Sequence, residues 1–242
     1  MKKFAVIAVV VCFMTGCTTM KGGISNYEPI GIVSIVSNKV IYWYEEEDEP
    51  QESGLGEDFL RKTIVPKKTA GKVDYSEATT LIEDANSILI EVLGNSGIAK
   101  LAPSEDVLGS AAYGDAQINQ RAESFGYVKP AAYKFVKTPD KTLAVNLAKE
   151  KGIKSTMYVQ FDFTKNIANG FGKSGSMRAR AEMTVKILDE TGKQIYNKTY
   201  EYSSPNKTEV ITGAYDNDAL MELFRETIYM AAEDLVYELN KK

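Results

Sequence analysis

Met157-Tyr158-Val159-Gln160-Phe161-Asp162-Phe163-Thr164 is followed, after a Gly/Asn-rich loop, by Met177-Arg178-Ala179-Arg180-Ala181-Glu182-Met183-Thr184-Val185-Lys186-Ile187. In both runs apolar and polar residues alternate without a break. Successive side chains of a strand point to opposite faces, so this period of two predicts two half-buried strands joined as a hairpin. The expected inward residues are Met157, Val159, Phe161 and Phe163, then Met177, Ala179, Ala181, Met183, Val185 and Ile187. Asp189-Glu190-Thr191-Gly192 reads as a turn, and Gln194 to Tyr202 as a third antiparallel strand, which completes a meander.

Helical patterns flank this meander. Downstream, Asp216 opens a long helix with Leu220, Leu223, Phe224, Ile228, Ala231, Ala232, Leu235, Val236 and Leu239 on one stripe, as a helix covering a sheet requires. Upstream, Thr138-Pro139-Asp140 reads as a helix start with Thr138 as cap and Pro139 at the first helical position. That helix turns Leu143, Ala144, Leu147 and Ala148 inward and ends at Gly152. Asp74-Tyr75-Ser76-Glu77 fits a capping box, and the helix it opens runs to about Leu93 before Gly94 and Gly97. Ile98 to Leu101 reads as a short strand, Pro103 to Asp106 as a helical turn, and Ile118 to Phe125 as a short helix in a glycine-broken region.

Near the start, Ile30 to Val36 is apolar on both faces, as in a central strand covered twice. Ser37-Asn38-Lys39 forms a turn there, with Val40 to Tyr44 returning or continuing. Together these elements make an α/β (α+β) fold: a mixed sheet with a C-terminal antiparallel three-stranded meander, flanked by helices. No internal repeat is present, and residues 30–242 read as one α/β domain.

The first residues say where the chain works. Lys2 and Lys3 precede an apolar run from Phe4 to Met14, and Thr15-Gly16-Cys17 follows. This is the charged, apolar and small-residue order of a secretory signal, and the run is too short to span a bilayer, which needs about 20 apolar residues. Met14-Thr15-Gly16-Cys17 resembles the lipobox of bacterial lipoproteins. That resemblance implies a signal peptide over 1–16, diacylglycerol on the Cys17 thiol, and a lipidated tether over 17–29 carrying Gly22, Gly23 and Pro29. It places the protein at the cell envelope, held to a membrane by its N-terminal lipid, with palmitate-type acylation. Thr18 stands where sorting to the inner membrane of two-membraned bacteria uses aspartate, so the outer membrane, facing the periplasm or the exterior, is expected there.

Composition narrows the chemistry. The formal net charge of −4 becomes about −6 when Lys2 and Lys3 leave with the signal, which disfavours a nucleic-acid partner. There is no histidine, and Cys12 and Cys17 are the only cysteines. Ser-His and Cys-His nucleophile pairs are therefore excluded, and a zinc site loses its usual ligands. No enzyme activity, cofactor or metal is expected.

Gly170-Phe171-Gly172-Lys173-Ser174-Gly175 hints at a phosphate loop, but Ile167 occupies the place of its first glycine and the loop joins two strands. The acidic run Glu45 to Glu49 lacks the alternating ligands of a calcium loop and reads as a solvated charge run before a 50–56 loop. No carboxylate pair stands out for glycoside chemistry. Tyr42, Trp43 and Tyr44 are candidates for partner contact, because such aromatics anchor interfaces, and Arg178 and Arg180 are candidates on the polar face of the meander. The bland alternative pairs Arg178, Arg180, Glu182 and Asp162 across strands.

A wider pattern runs from Thr142 to Tyr202. Leu147-Ala148-Lys149-Glu150-Lys151-Gly152-Ile153 precedes the alternating strand, and Ile187-Leu188-Asp189-Glu190-Thr191-Gly192 closes the second. It resembles envelope lipoproteins related to the curli secretion component, the penicillin-binding-protein activators and the translocation-protein N-terminal domain, although Lys154-Ser155 stands where those have aspartate. The resemblance implies an α/β fold with a mixed sheet, no catalytic centre and no transferable site residue. The expected function is an assembly, scaffold or activator component that binds envelope proteins or its own copies. The alternative is a small-molecule or glycan-binding lipoprotein with a pocket in the 102–136 region lined by Tyr113, Tyr127 and Tyr133.

Overall fold

A computed structural model of the protein describes residues 23–44, 75–171 and 174–241. The signal 1–16, Cys17, the acidic run and loop over 45–56, the Asp74 cap and Gly172-Lys173 lie outside the described residues.

A 3-10 turn at Ile24–Tyr27 leads into β1 (Ile30–Asn38) and β2 (Tyr42–Trp43), followed by α1 (Tyr75–Asn95), α2 (Ser104–Leu108), α3 (Ala111–Gly114), β3 (Tyr127–Val128) and α4 (Lys141–Lys151). Then come β4 (Ser155–Phe171), β5 (Ser174–Asp189), β6 (Gln194–Ser203), β7 (Thr208–Ile211), β8 (Ala214–Tyr215) and α5 (Asn217–Asn240). The strands form one mixed, open sheet. β4 and β5 are its spine, antiparallel from Ser155↔Asp189 to Phe171↔Ser174. β1 runs parallel to β4 from Ile30↔Ser155 to Ser37↔Phe161, with β3 on its other side. β6 pairs with β5 over residues 180–188, and β7 takes the same edge at residues 175–177.

The alternation does what period two demands. All ten expected inward residues of β4 and β5 are buried, and they face α1 and α5 across the main core. Phe163 meets Phe224 of α5 edge-on, ring centroids 5.4 Å apart. The stripe from Leu220 to Leu239 lies on this core, with Val236 partly buried, and Asp216 caps α5 by accepting from the Asp218 and Ala219 amides. Among the described residues, helical cover on the opposite sheet face lies near its 155–189 end, where Leu143, Ala144 and Leu147 of α4 pack with Val33, Tyr158 and Leu188. Gly152 ends α4 in the left-handed region, φ +67°.

Several boundaries differ from expectation. The α4 cap is Asp140, not Thr138. Its Oδ1 accepts from the Leu143 amide and its Oδ2 from the Gln117 amide, both at 3.0 Å, so one carboxylate serves the helix and the loop beside it. Residues 118–125 form turns rather than a helix, with Ile118 bridged to Val136. Ile98 to Leu101 makes only an isolated parallel bridge, Ile30↔Leu101.

Val40 to Tyr44 continues rather than returns, because β2 runs parallel to β4. Asn38 makes that continuation possible. Its carboxamide takes the place of a peptide group against Phe163, accepting from the Phe163 amide at 2.7 Å and donating to the Phe163 carbonyl at 2.8 Å. The same nitrogen donates to the Val40 carbonyl at 2.5 Å. The ladder is thereby bridged across the gap between β1 and β2.

Candidate partner-contact surface

Beyond the reach of α4, the even-numbered residues of β4 and β5 form a face on which no described helix packs. The register lays it out in rows. Asn166 stands opposite Arg178; Thr164 lies between Tyr42 and Arg180; Asp162 stands opposite Glu182, which in turn faces Glu201 of β6.

Tyr44 continues this face past β2, its amide donating to the Lys165 carbonyl at 2.6 Å. The Arg180 guanidinium lies over the Tyr44 ring, 4.1 Å from the centroid, and donates to Glu201 through Nη2 at 2.6 Å and Nε at 3.0 Å. An aromatic ring, a cation and a carboxylate are thus stacked across three strands.

Four of the five contact candidates therefore meet: Tyr42, Tyr44, Arg178 and Arg180 share one face. Trp43 does not. The alternation turns it to the core, where it is 5 % exposed and meets Tyr215 edge-on at 6.3 Å. The bland charge pairing is also different from expectation, since Arg180 chooses Glu201, and Asp162 and Glu182 face each other as like charges.

Lys165 is 2 % exposed, on the core side of β4, with its ammonium 5.4 Å from the Trp43 centroid and 4.4 Å from that of Tyr215, whose hydroxyl it also hydrogen-bonds. Its odd number, continuing the series from Met157 to Phe163, is the signal that places it there.

Three buried polar atoms on this face have no hydrogen-bond partner among the described residues: Thr164 Oγ1, Asn166 Oδ1 and Arg178 Nε. Each such group costs about 1–3 kcal/mol relative to a paired one. Two can donate and one accepts, in adjacent rows beside the tyrosines.

Of the tyrosines expected to line a pocket, Tyr113 and Tyr133 lie near each other but buried, and Tyr127 stands in β3. Tyr113 is 1 % exposed in the core under α4, where its hydroxyl accepts from the Lys134 amide at 2.8 Å. Tyr133 is 4 % exposed in the main core and donates to Asn86 Oδ1 at 3.1 Å, while Tyr127 is half-buried in β3. Burial pushes the Tyr113 and Tyr133 hydroxyls above their usual range. Tyr113 and Tyr133 are core residues.

Elsewhere the polar groups have structural duties. Glu150 accepts from the Ala112 amide at 2.7 Å and the Ala111 amide at 3.0 Å, which serves the α3 N-terminus and lowers its pKa from 4.5. Among the described residues, no group of three His, Cys, Asp or Glu side chains is placed to hold a metal, and no helix is long and apolar enough to cross a membrane. No protein-family model matches this chain, and no curated protein matches it.

Proposed function

We propose that the protein is a lipid-anchored envelope component that works through protein–protein contact, as an assembly, scaffold or activator element, at the bare face carrying Tyr42, Tyr44, Arg178 and Arg180. The observation that carries this reading is the row of unsatisfied atoms on that face. Among the described residues none hydrogen-bonds Thr164 Oγ1, Asn166 Oδ1 or Arg178 Nε, so a molecule that docks on this face and shifts its side chains supplies bonds that those residues do not. Tyr and Arg beside them are the residue types that concentrate binding energy at interfaces. The order Lys2-Lys3, apolar run, Thr15-Gly16-Cys17 supports anchoring at Cys17. Burial of Tyr113 and Tyr133 weighs against the pocket alternative.

Two measurements test the parts separately. Intact mass of the envelope-extracted protein should give a chain starting at a lipid-modified Cys17; an unmodified chain starting at Met1 refutes the anchor. A photo-crosslinking residue at Tyr42 in intact cells should trap one defined envelope protein, whereas the same probe at Glu91 on α1 should not. Equal trapping at both positions, or none at Tyr42, refutes the contact face.

A further inference from the structure

The edges of this sheet are mostly too short to recruit another strand: β3, β2 and β8 are two residues each. Among the described residues, β6 is a ten-residue strand that pairs with β5 alone, whereas the outer edge of β1 is interrupted by its bridge at Ile30 and by β3 at Ser37 and Asn38. The Ser204 amide donates to the Ala179 carbonyl at 2.8 Å, continuing the β5–β6 register by one pair. Antiparallel ladders alternate, so Lys198, Tyr200 and Tyr202 turn their peptide groups towards β5, and Asn197, Thr199, Glu201 and Ser203 turn theirs outward.

Those four outward residues have exposed side chains. Natural edges of this length are usually blunted by lysine, proline or a bulge along the open stretch. Here the outward set contains no proline and no lysine, and its one charge, Glu201, is already held by Arg180. Lys198, the cation of the strand, points to the α5 side and is paired with Glu238 at 3.2 Å.

We propose that β6 pairs with β6 of a second copy, antiparallel about Thr199, to give one continuous two-fold sheet. The register follows from side-chain chemistry. Centring on Thr199 sets Asn197 opposite Glu201 of the second copy, an amide against a carboxylate, and Lys198 opposite Tyr200. Centring on Lys198 would oppose two lysines, and centring on Glu201 two carboxylates, both unfavourable in directly facing pairs. The outward peptide groups of residues 197, 199 and 201 then close three hydrogen-bonded pairs, and self-complementarity of this kind is what a two-fold interface requires. The pairing uses the peptide edge of β6 and shares only Glu201 with the Tyr44–Arg180 face, so the disulfide test reads it apart from any partner bound there.

The test uses the full chain in mild detergent, with Cys12 and Cys17 both changed to serine so that single cysteines can be placed. Residues directly opposite in a hydrogen-bonded pair have Cα atoms about 5.5 Å apart, within the roughly 4.4–6.8 Å that a disulfide spans. Thr199→Cys should therefore form a disulfide dimer under mild oxidation. Asn197→Cys alone should not, since the two copies of that position lie about 14 Å apart. An equimolar mixture of Asn197→Cys and Glu201→Cys chains should link to each other.

On the otherwise natural chain, Thr199→Pro removes an outward amide without touching the β5 ladder. It should shift sedimentation from dimer to monomer with the circular dichroism unchanged. The proposal is overturned if Thr199→Cys stays monomeric while folded, if Asn197→Cys links alone as readily, or if natural and Thr199→Pro chains sediment alike.

Discussion

Asn38→Leu isolates the contribution of a single side chain to the geometry of the contact face. The substitution keeps the branching at Cγ in a larger, apolar side chain and removes two hydrogen bonds to the Phe163 backbone, at 2.7 and 2.8 Å, together with the bond to Val40. Phe163 is fully buried, so its amide and carbonyl lose their partners at a site with little access to water. Each unsatisfied group costs about 1–3 kcal/mol, and allowing for partial relaxation the total is about 2–4 kcal/mol. The perturbation should also release β2, because Asn38 spans the gap through which the chain passes from β1 to β2.

Trp43 provides the readout. It is the only tryptophan of the chain, sits in β2, and is buried against Tyr215 and Lys165. Urea unfolding should show the lost stability, and Trp43 emission in the absence of urea should move to longer wavelength as water reaches the ring. Asn38→Asp keeps the acceptor for the Phe163 amide and loses the donor, so it should fall between Leu and the natural residue. A variant Asn38→Leu within about 0.5 kcal/mol of the natural protein, with unchanged emission, would refute the bridging role.

Three further outcomes are expected. Phe224→Ala removes a ring packed on Phe163 in the main core and should cost about 3–5 kcal/mol in urea unfolding. Gly175→Ala should open the tip of the β4–β5 hairpin, because its φ is +135° and a Cβ there would lie 2.0 Å from the Asn169 carbonyl oxygen; amide exchange should accelerate at residues 167–178 before the rest of the sheet. Glu150 has a native pKa below its unfolded value, so its contribution to stability is present above pH 4.5 and lost as pH falls through the native pKa. Glu150→Gln should accordingly lower Tm at neutral pH, with the deficit against the natural protein shrinking as the pH drops below 4.5.

The long regular elements were legible because one strong signal dominated each. Alternation from Met157 to Ile187 has only one register that buries every apolar residue, and the α5 stripe has one face that fits over it. What was lost was set by competition or by distant pairing. Thr138 and Asp140 both suit a helix cap, and the loop amide of Gln117, far off in sequence terms, settles the choice for Asp140. β3, β7 and β8, at two to four residues, are too short to carry a period and exist because a neighbour accepts their backbones. In the contact face, grouping Tyr42, Trp43 and Tyr44 by residue type overlooked that adjacent strand residues point opposite ways. The same parity would have separated Trp43 from the tyrosines and sent Lys165 inward with it.

The chain enters the sheet at one extremity. Ser155 Oγ donates to the Tyr27 carbonyl at 2.8 Å and the Lys154 amide to the Pro29 carbonyl at 3.1 Å, so residues 27–29 are moored where β4 begins. β4 then travels 17 residues to the turn with β5, roughly 55 Å at strand rise. The end of β4 at Phe171 therefore lies a full strand length from that mooring. Fluorophores or fusion partners joined there would report on the surroundings at full reach, while those joined near residue 23 would sense only the base.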